Sequence, residues 1–253
     1  MKPDEQEARN KYNLIAEYYH NFRTKKCPEG HFYNEMLEMP ATLELLGNVK
    51  GKKILDFGCG TGILTKILKN KGAKIKGFDI SPKMLSIAKL ENPNLDLRLG
   101  SGYNIPFNEK FDIVVASLVL SHIDNWKKIF KQVKKILKKK GYFIFSIENP
   151  VVDMTIKANN KNPLIRKFQD YFKERKIYSS WRNILYKKEV KRIRMPKFHK
   201  TYETIIKTII ENNFDIIDYK DTFPLKKSKK LFPKEYNFAV NTPYFCVWKV
   251  KKK

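Results

Sequence analysis

The chain has 253 residues, 42% of them hydrophobic, which suits one globular domain with its own core and excludes a disordered chain. The formal net charge of +26 makes a polyanion such as RNA a candidate partner, but most of the excess is lysine spread along the chain, as in a general residue bias. The N-terminus is charged, and the apolar runs are far shorter than the roughly 20 residues that span a bilayer, so the pattern indicates neither a signal peptide nor a membrane span. Three cysteines without disulfide-like spacing fit a reducing compartment, and we expect a cytoplasmic protein.

Residues 1–48 precede the first predicted strand and are rich in tyrosine and phenylalanine. We expect a helical lid here, because additions to an α/β core often cover its ligand site. From residue 53 the chain alternates predicted strands and helices, which indicates a mostly parallel sheet with helices on both faces. The predicted strands are 53–57, 74–79, 95–99, 111–116, 142–147, 214–219 and 244–250, and the predicted helices are 63–70, 82–88, 125–140 and 203–212.

The last two predicted strands are expected to form an antiparallel hairpin. Residues 151–200 lie between the fifth strand and the last helix and are rich in Lys, Arg, Trp and Tyr. We expect this insertion to form part of an acceptor pocket, within a single domain that covers residues 1–253.

A glycine-rich turn follows the first strand. Gly58, Gly60 and Gly62 alternate with other residues, and such glycines let the backbone bend sharply and approach a ligand closely. Asp56, two residues before Gly58, would repel a pyrophosphate but suits a ligand with an ammonium group. Asp79 ends the second strand, where a carboxylate can accept both hydroxyls of a ribose. Together they predict a site for an adenosyl amino acid.

At these residues the chain resembles the class I S-adenosylmethionine-dependent methyltransferases, in particular the type-11 group of mainly small-molecule enzymes. The resemblance runs from about residue 12 to the C-terminus and is most specific at 56–62 and 78–84. It implies a Rossmann-like seven-stranded, mostly parallel sheet with an antiparallel last strand, and S-adenosyl-L-methionine as the cofactor. The cofactor-binding residues it implies are Tyr19, Asp56, Gly58, Gly60, Gly62, Asp79, Ile80, Met84, Ser101, Gly102 and Ser117.

The resemblance also implies individual roles. Asp56 would face the methionyl amino group through water or backbone, and Asp79 would hold the ribose. Ile80 and Met84 would flank the adenine. Many relatives have aspartate where Ser101 stands, in contact with the exocyclic amine of adenine, and a serine there would make a weaker, neutral contact.

Two further roles follow from the resemblance. Ser117 belongs to the loop after the fourth strand, near the methyl donor. Tyr19 belongs to an N-terminal helix that folds over the cofactor.

The candidate catalytic residues are His199 and Glu148. His199 precedes the last helix, and in similar enzymes a histidine here faces the acceptor and could take its proton, although a surface position at the helix entry is the alternative. Glu148 ends the fifth strand, at the sheet edge where ligands bind, and either contacts the acceptor or caps the loop. For His122, after the fourth strand, a structural role is favoured over a pocket role.

The expected reaction is in-line displacement of a methyl group, which requires alignment of donor and acceptor but no metal. A small-molecule acceptor is the leading hypothesis. An RNA methyltransferase is the alternative, because of the net charge and the basic run 187–200. A non-catalytic module that retains the cofactor fold is the third hypothesis.

Overall fold

The computed structural model describes residues 2–24, 28–157, 166–186 and 189–253. Its α-helices are α1 (Pro3–Thr24), α2 (Met39–Leu46), α3 (Ile63–Asn70), α4 (Pro82–Glu91), α5 (Trp126–Ile136), α6 (Pro150–Asp153), α7 (Tyr202–Glu211), α8 (Ser228–Leu231) and α9 (Pro233–Ala239), with a π-helical segment at Pro28–Glu38. Its strands are β1 (Lys53–Phe57), β2 (Lys74–Asp79), β3 (Leu97–Leu99), β4 (Phe111–Ser117), β5 (Leu137–Glu148), β6 (Thr155–Lys157), β7 (Arg166–Phe168), β8 (Lys176–Tyr186), β9 (Glu189–Phe198), β10 (Phe214–Asp221) and β11 (Phe245–Lys252). In this part of the chain no helix combines the length and apolarity needed to cross a membrane.

Seven strands form the main sheet, in the order β10-β11-β5-β4-β1-β2-β3. The pairs of β1 with β2 and of β1 with β4 are parallel, whereas β11 runs antiparallel to both of its neighbours. The predicted Rossmann-like sheet with an antiparallel last strand is therefore confirmed. Because β1, β2 and β4 are parallel, their carboxyl ends meet at one edge of the sheet.

Helices cover both faces of this sheet. On one face, α5 and α7 pack over an aromatic core in which the ring of Phe130 contacts Phe143, Phe145 and Phe214. On the other face, apolar side chains of α2 and α3 pack against Ile54 and neighbouring strand residues. Burial on both faces explains why the central strands are almost continuously apolar.

The boundary between α5 and β5 differs most from the sequence prediction. The helix predicted to reach residue 140 ends at Ile136, because Leu137 adopts an extended conformation and pairs with Phe111 of β4. The expected antiparallel pairing of the last two strands is confirmed. Residues 222–244 connect them and carry α8 and α9, and Phe232, Tyr236 and Ala239 of this connection pack against the π-helical segment.

Helix α1 lies over the carboxyl edge of the sheet. Its Ile15 packs against Met84 of α4 and Met195 of β9. The insertion at 151–200 contributes two small antiparallel pairs, β6 with β7 and β8 with β9, while residues 158–165 and 187–188, where the basic run begins, lie outside the described residues. Helix α1 and the β8–β9 pair thus meet above the edge at which the predicted site residues lie.

Candidate active site

A cavity of about 490 Å³ lies at the carboxyl edge of the main sheet. Its floor comes from the ends of β1, β2 and β4 and from the loops that follow them. Aromatic and small side chains of α1 and of the π-helical segment form its roof, and Ser179 of β8 also borders it. The volume lies in the range typical of small-molecule sites.

The three glycines after β1 all have left-handed backbone conformations, with φ of 73° at Gly58, 55° at Gly60 and 79° at Gly62. A Cβ atom on Gly60 would meet nothing within 4 Å, so this bare backbone faces open cavity space. A Cβ on Gly58 would lie 2.6 Å from a methyl group of Val119. Gly62 does not border the cavity, and a Cβ there would clash with Asn92, so its role is close packing of α3 against α4.

Asp79 borders the cavity beside Gly60. Its Oδ2 accepts a hydrogen bond of 2.8 Å from the Gly60 N–H, and its Oδ1 accepts one of 2.8 Å from the Ser81 N–H. Burial raises the pKa of this carboxyl group to about 6. A carboxylate accepts about four hydrogen bonds, so each oxygen can still accept one from a ribose hydroxyl.

Asp56 lies behind the cavity wall. Its carboxylate accepts a hydrogen bond of 2.6 Å from Thr65 Oγ1 of α3, and the side chain of the next residue, Phe57, borders the cavity instead. Successive side chains of a strand point to opposite faces, which explains this separation. Burial raises the pKa of Asp56 to about 7. Any effect of Asp56 on a ligand therefore passes through the glycine loop or through water.

Ile80, Met84 and Gly102 line the cavity together with Asp79, and their roles in cofactor binding stay a prediction. Ser101 does not line the cavity. Its hydroxyl donates instead to the carboxylate of Glu5, at 2.6 Å, and it is Glu5 that reaches the cavity. Glu5 could not be predicted as a cavity residue, because nothing in the sequence near residue 5 indicates a contact with residue 101.

Ser117 borders the cavity at the end of β4 and is held from below by Glu38. Glu38 Oε1 accepts hydrogen bonds from Ser117 at 3.0 Å, from Thr42 at 2.6 Å and from Ser146 at 2.5 Å. The Ser146 hydroxyl in turn accepts from the N–H of Leu118, whose φ is 56°. Burial raises the pKa of Glu38. This network fixes the loop after β4, and no local pattern in the sequence predicts it.

His122 and Tyr12 form a hydrogen-bonded pair in the cavity wall. Nδ1 of His122 lies 2.6 Å from the carbonyl oxygen of Pro196 and must donate its proton there, because a carbonyl only accepts. Nε2 then accepts from the Tyr12 hydroxyl, at 2.9 Å. Burial lowers the pKa of His122 and raises that of Tyr12, so both groups are neutral near pH 7.

The two predicted catalytic residues lie in different places. His199 is only 1% exposed and does not border the cavity, and its Nε2 donates to the carbonyl oxygen of Tyr171 at 2.8 Å. Glu148 does border the cavity and accepts a hydrogen bond from Lys197 Nζ. Burial lowers the pKa of Lys197 to about 7.

Tyr19 of α1 borders the cavity. Its hydroxyl accepts a hydrogen bond of 3.2 Å from Arg23, whose guanidinium also donates to Glu35 at 2.8 Å. These contacts join α1 to the π-helical segment, so the two roof elements hold each other in place.

The donors and acceptors of this cavity suit an adenosyl amino acid. Asp79 offers two acceptor oxygens for a diol, Ile80 and Met84 offer apolar surface for a flat base, and the backbone of Gly60 leaves room for a substituent on the ribose. The described residues contain no group of three or more His, Cys, Asp or Glu side chains that could hold a metal ion.

Comparison with known proteins gives a consistent result. A family model described as a methyltransferase domain matches residues 55–145. An uncharacterized protein of Haemophilus influenzae is 28% identical over 235 residues, which are 87% of this chain and 88% of the relative. A demethylmenaquinone methyltransferase of Tropheryma whipplei is 30% identical over 144 residues, covering 54% of this chain and 57% of the relative.

Among solved structures, a crystal structure of a candidate S-adenosylmethionine-dependent methyltransferase from Listeria monocytogenes superposes with a TM-score of 0.70. It shares 26% sequence identity, and the match covers 85% of this chain and 98% of that chain.

Proposed function

Because the chain belongs to the S-adenosylmethionine-dependent methyltransferases of the type-11 group, we propose that it transfers a methyl group from S-adenosyl-L-methionine to a small-molecule acceptor by in-line displacement. One observation supports a small-molecule acceptor in particular. The cavity that holds the cofactor residues continues past Ser117 to His122 and Glu148 and is covered by α1 and the π-helical segment. A roofed cavity of about 490 Å³ suits a compact acceptor better than a polynucleotide.

The cofactor seat is built mainly by three parts of the chain. Asp79 would hold the ribose, Ile80 and Met84 would pack against the base, and the Gly60 backbone leaves cavity space for the rest of the ligand. When bound, S-adenosylmethionine supplies a sulfonium methyl group with a neutral leaving group. The protein therefore has to align the acceptor with this methyl group and exclude water, and such positioning can supply roughly 7–11 kcal/mol.

The Tyr12–His122 pair is the proton acceptor that this geometry favours. His122 Nδ1 is fixed on the carbonyl of Pro196, so its Nε2 lone pair points to the Tyr12 hydroxyl at the cavity wall. An acceptor hydroxyl can give its proton to Tyr12 while Tyr12 passes its own proton to His122. His199, which lies outside the cavity lining, fits this role less well.

Glu148 is proposed to hold a polar group of the acceptor. Its carboxylate borders the cavity and bonds to the buried Lys197, whose pKa of about 7 lets this ammonium group lose its charge near neutral pH. The pair can therefore present either a carboxylate with a cation or a carboxylate with a neutral amine. An acceptor with a hydroxyl or amine donor would bind the free oxygen of Glu148.

Two measurements test the proposed function. Calorimetric titration with S-adenosylhomocysteine should show saturable binding at one site, and absence of binding at high micromolar ligand would refute the cofactor. Methyl transfer from labelled donor should then be compared between a metabolite extract and bulk tRNA across a salt series. We expect label in small molecules, and tRNA binding that disappears at moderate salt. Label in tRNA would instead support the RNA alternative, and no transfer at all would support a non-catalytic module.

A further inference from the structure

A buried carboxylate from the first turn of α1 reaches into the cofactor side of the cavity. Glu5 is 4% exposed, yet it borders the cavity together with Gly100 and Gly102 of the loop after β3. Its Oε1 accepts from the Ser101 hydroxyl at 2.6 Å and from the Gly102 N–H at 3.0 Å, and the same hydroxyl lies 2.7 Å from Oε2. The carboxylate is thus anchored to this loop from a helix almost a hundred residues earlier in the chain.

These contacts leave part of the carboxylate unsatisfied. Ser101 and Gly102 together donate two hydrogens, whereas an ionised carboxylate accepts about four. Burial of a carboxylate is costly unless donors surround it. A donor inside the cavity would therefore gain a charge-assisted hydrogen bond from Glu5, which is about twice as strong as a neutral one.

Glu5 borders the part of the cavity where the base of a bound nucleoside would lie. Asp79 ends β2, and β3 is the next strand of the sheet and its edge strand. Ile80 and Gly102 border the cavity together with Asp79, so a base attached to a ribose on Asp79 would lie between Ile80 and the loop that carries Gly102. Glu5 borders this same space and bonds to Gly102, so its carboxylate would face the edge of such a base.

We propose that Glu5 selects adenine: its carboxylate accepts a hydrogen bond from the exocyclic amine, in the place where Ser101 alone offers only a neutral contact. The inference rests on the cofactor of the proposed function. Because Glu5 belongs to α1, recognition of the base and closure of the roof become one event. Asp4, its neighbour, supports this closure by accepting from the Tyr103 hydroxyl at 2.7 Å and from the Asp124 N–H at 3.1 Å.

The test compares two ligands that differ in the group that faces Glu5. S-adenosylhomocysteine carries an amine, and S-inosylhomocysteine carries a carbonyl oxygen in its place. Calorimetry on the full chain should show that the unsubstituted protein binds the adenosyl ligand roughly 10-fold or more tightly. In Glu5→Gln this ratio should fall toward one, because an amide can either accept from an amine or donate to a carbonyl.

Glu17→Gln is the matched control, since Glu17 is exposed on the same helix. It should keep the full preference. The preference is a ratio of two affinities in one variant, so loss of stability in Glu5→Gln does not mimic the result. Hydrogen exchange gives a second measure: amides of α1 should become more protected with the adenosyl ligand than with the inosyl ligand, and this difference should vanish in Glu5→Gln.

Two results would overturn the inference while leaving the cofactor intact. One is an unchanged preference in Glu5→Gln. The other is tighter binding of the adenosyl ligand by Glu5→Ala, which would mean that the carboxylate occupies the place of the base and is displaced by it. If the unsubstituted protein binds neither ligand, the cofactor assignment and this inference fail together.

Discussion

The hydroxyl oxygen of Tyr12 lies 2.9 Å from Nε2 of His122, at the wall of the cavity. The two residues are 110 positions apart, and they meet because α1 folds back over the loop after β4. The carbonyl of Pro196 fixes the tautomer of the imidazole from the other side. A neutral base with a lone pair aimed at a cavity hydroxyl is the arrangement that proton transfer needs.

We predict that His122→Ala lowers the methyl-transfer rate by about 10²-fold or more when the acceptor is a hydroxyl, because the proton loses its acceptor. The affinity for S-adenosylhomocysteine should change little. Labelled-donor turnover and calorimetry measure the two quantities separately.

His199→Gln is the comparison for this experiment. His199 is buried but does not border the cavity, so its substitution should lower the melting temperature more than the turnover of the folded fraction. The opposite pattern, with turnover lost in His199→Gln and retained in His122→Ala, would return the base role to His199.

The affinity for the adenosyl ligand should depend on pH through Asp79. Its pKa is raised by burial to about 6, and a protonated carboxyl offers fewer acceptor sites to the ribose hydroxyls. Binding should therefore strengthen as the pH rises through 6, and should be about tenfold weaker at pH 5 than at pH 8. Calorimetry across this range checks the midpoint. Asp79→Asn should bind weakly at every pH and lose the dependence, and a persistent midpoint near 6 would assign it to another group.

A methyl group on Gly60 should block the ligand. Gly60→Ala adds a Cβ that points into open cavity space at a residue with φ of 55°. We expect about 1 kcal/mol of backbone strain and a loss of binding by the adenosyl ligand. Gly51→Ala is the matched control, because Gly51 also has a positive φ of 73° with nothing within 4 Å, but lies away from the cavity. It should show the same strain in chemical denaturation and unchanged binding. Equal binding losses in the two variants would contradict the prediction.

Glu38 should show opposite effects in two substitutions. Burial raises the pKa of Glu38, so the folded state binds the proton of this carboxyl group more tightly than the unfolded state does. This group therefore makes the free energy of unfolding fall as the pH rises above the pKa that Glu38 has in the unfolded chain. Glu38→Gln removes this dependence and keeps an acceptor for Ser146 and Thr42, so its melting temperature at pH 8 should equal or exceed that of the unsubstituted protein. Glu38→Ala should cost about 1–3 kcal/mol, because buried hydroxyls lose their acceptor. Melting curves between pH 5 and 8 distinguish the cases, and a destabilised Glu38→Gln would argue for a needed negative charge.

Local pattern was sufficient for most of the fold. The alternation of apolar strands with amphipathic helices predicted the sheet, and the helix predicted from residue 82 does begin at Pro82, where the Ser81 hydroxyl accepts from the Met84 N–H as an N-cap. The helix predicted to reach residue 140 ends at Ile136 instead, because strand pairing of Leu137 outweighs the helical preference of the lysines that follow.

The residues of the candidate site also fall into those that local sequence predicts and those that it does not. Gly58, Gly60 and Asp79 were accessible from the sequence, because turns and strand ends are built by residues that are neighbours in the chain. Their geometry follows from local backbone rules, and so the sequence by itself determined the sheet, its glycine loop and the class of ligand. Glu5, Glu38 and the Tyr12–His122 pair depend on contacts between residues about 80 to 110 positions apart. Only the tertiary structure decided those, because the packing of α1 and the π-helical segment over the sheet edge brings these side chains together and no local pattern records that packing.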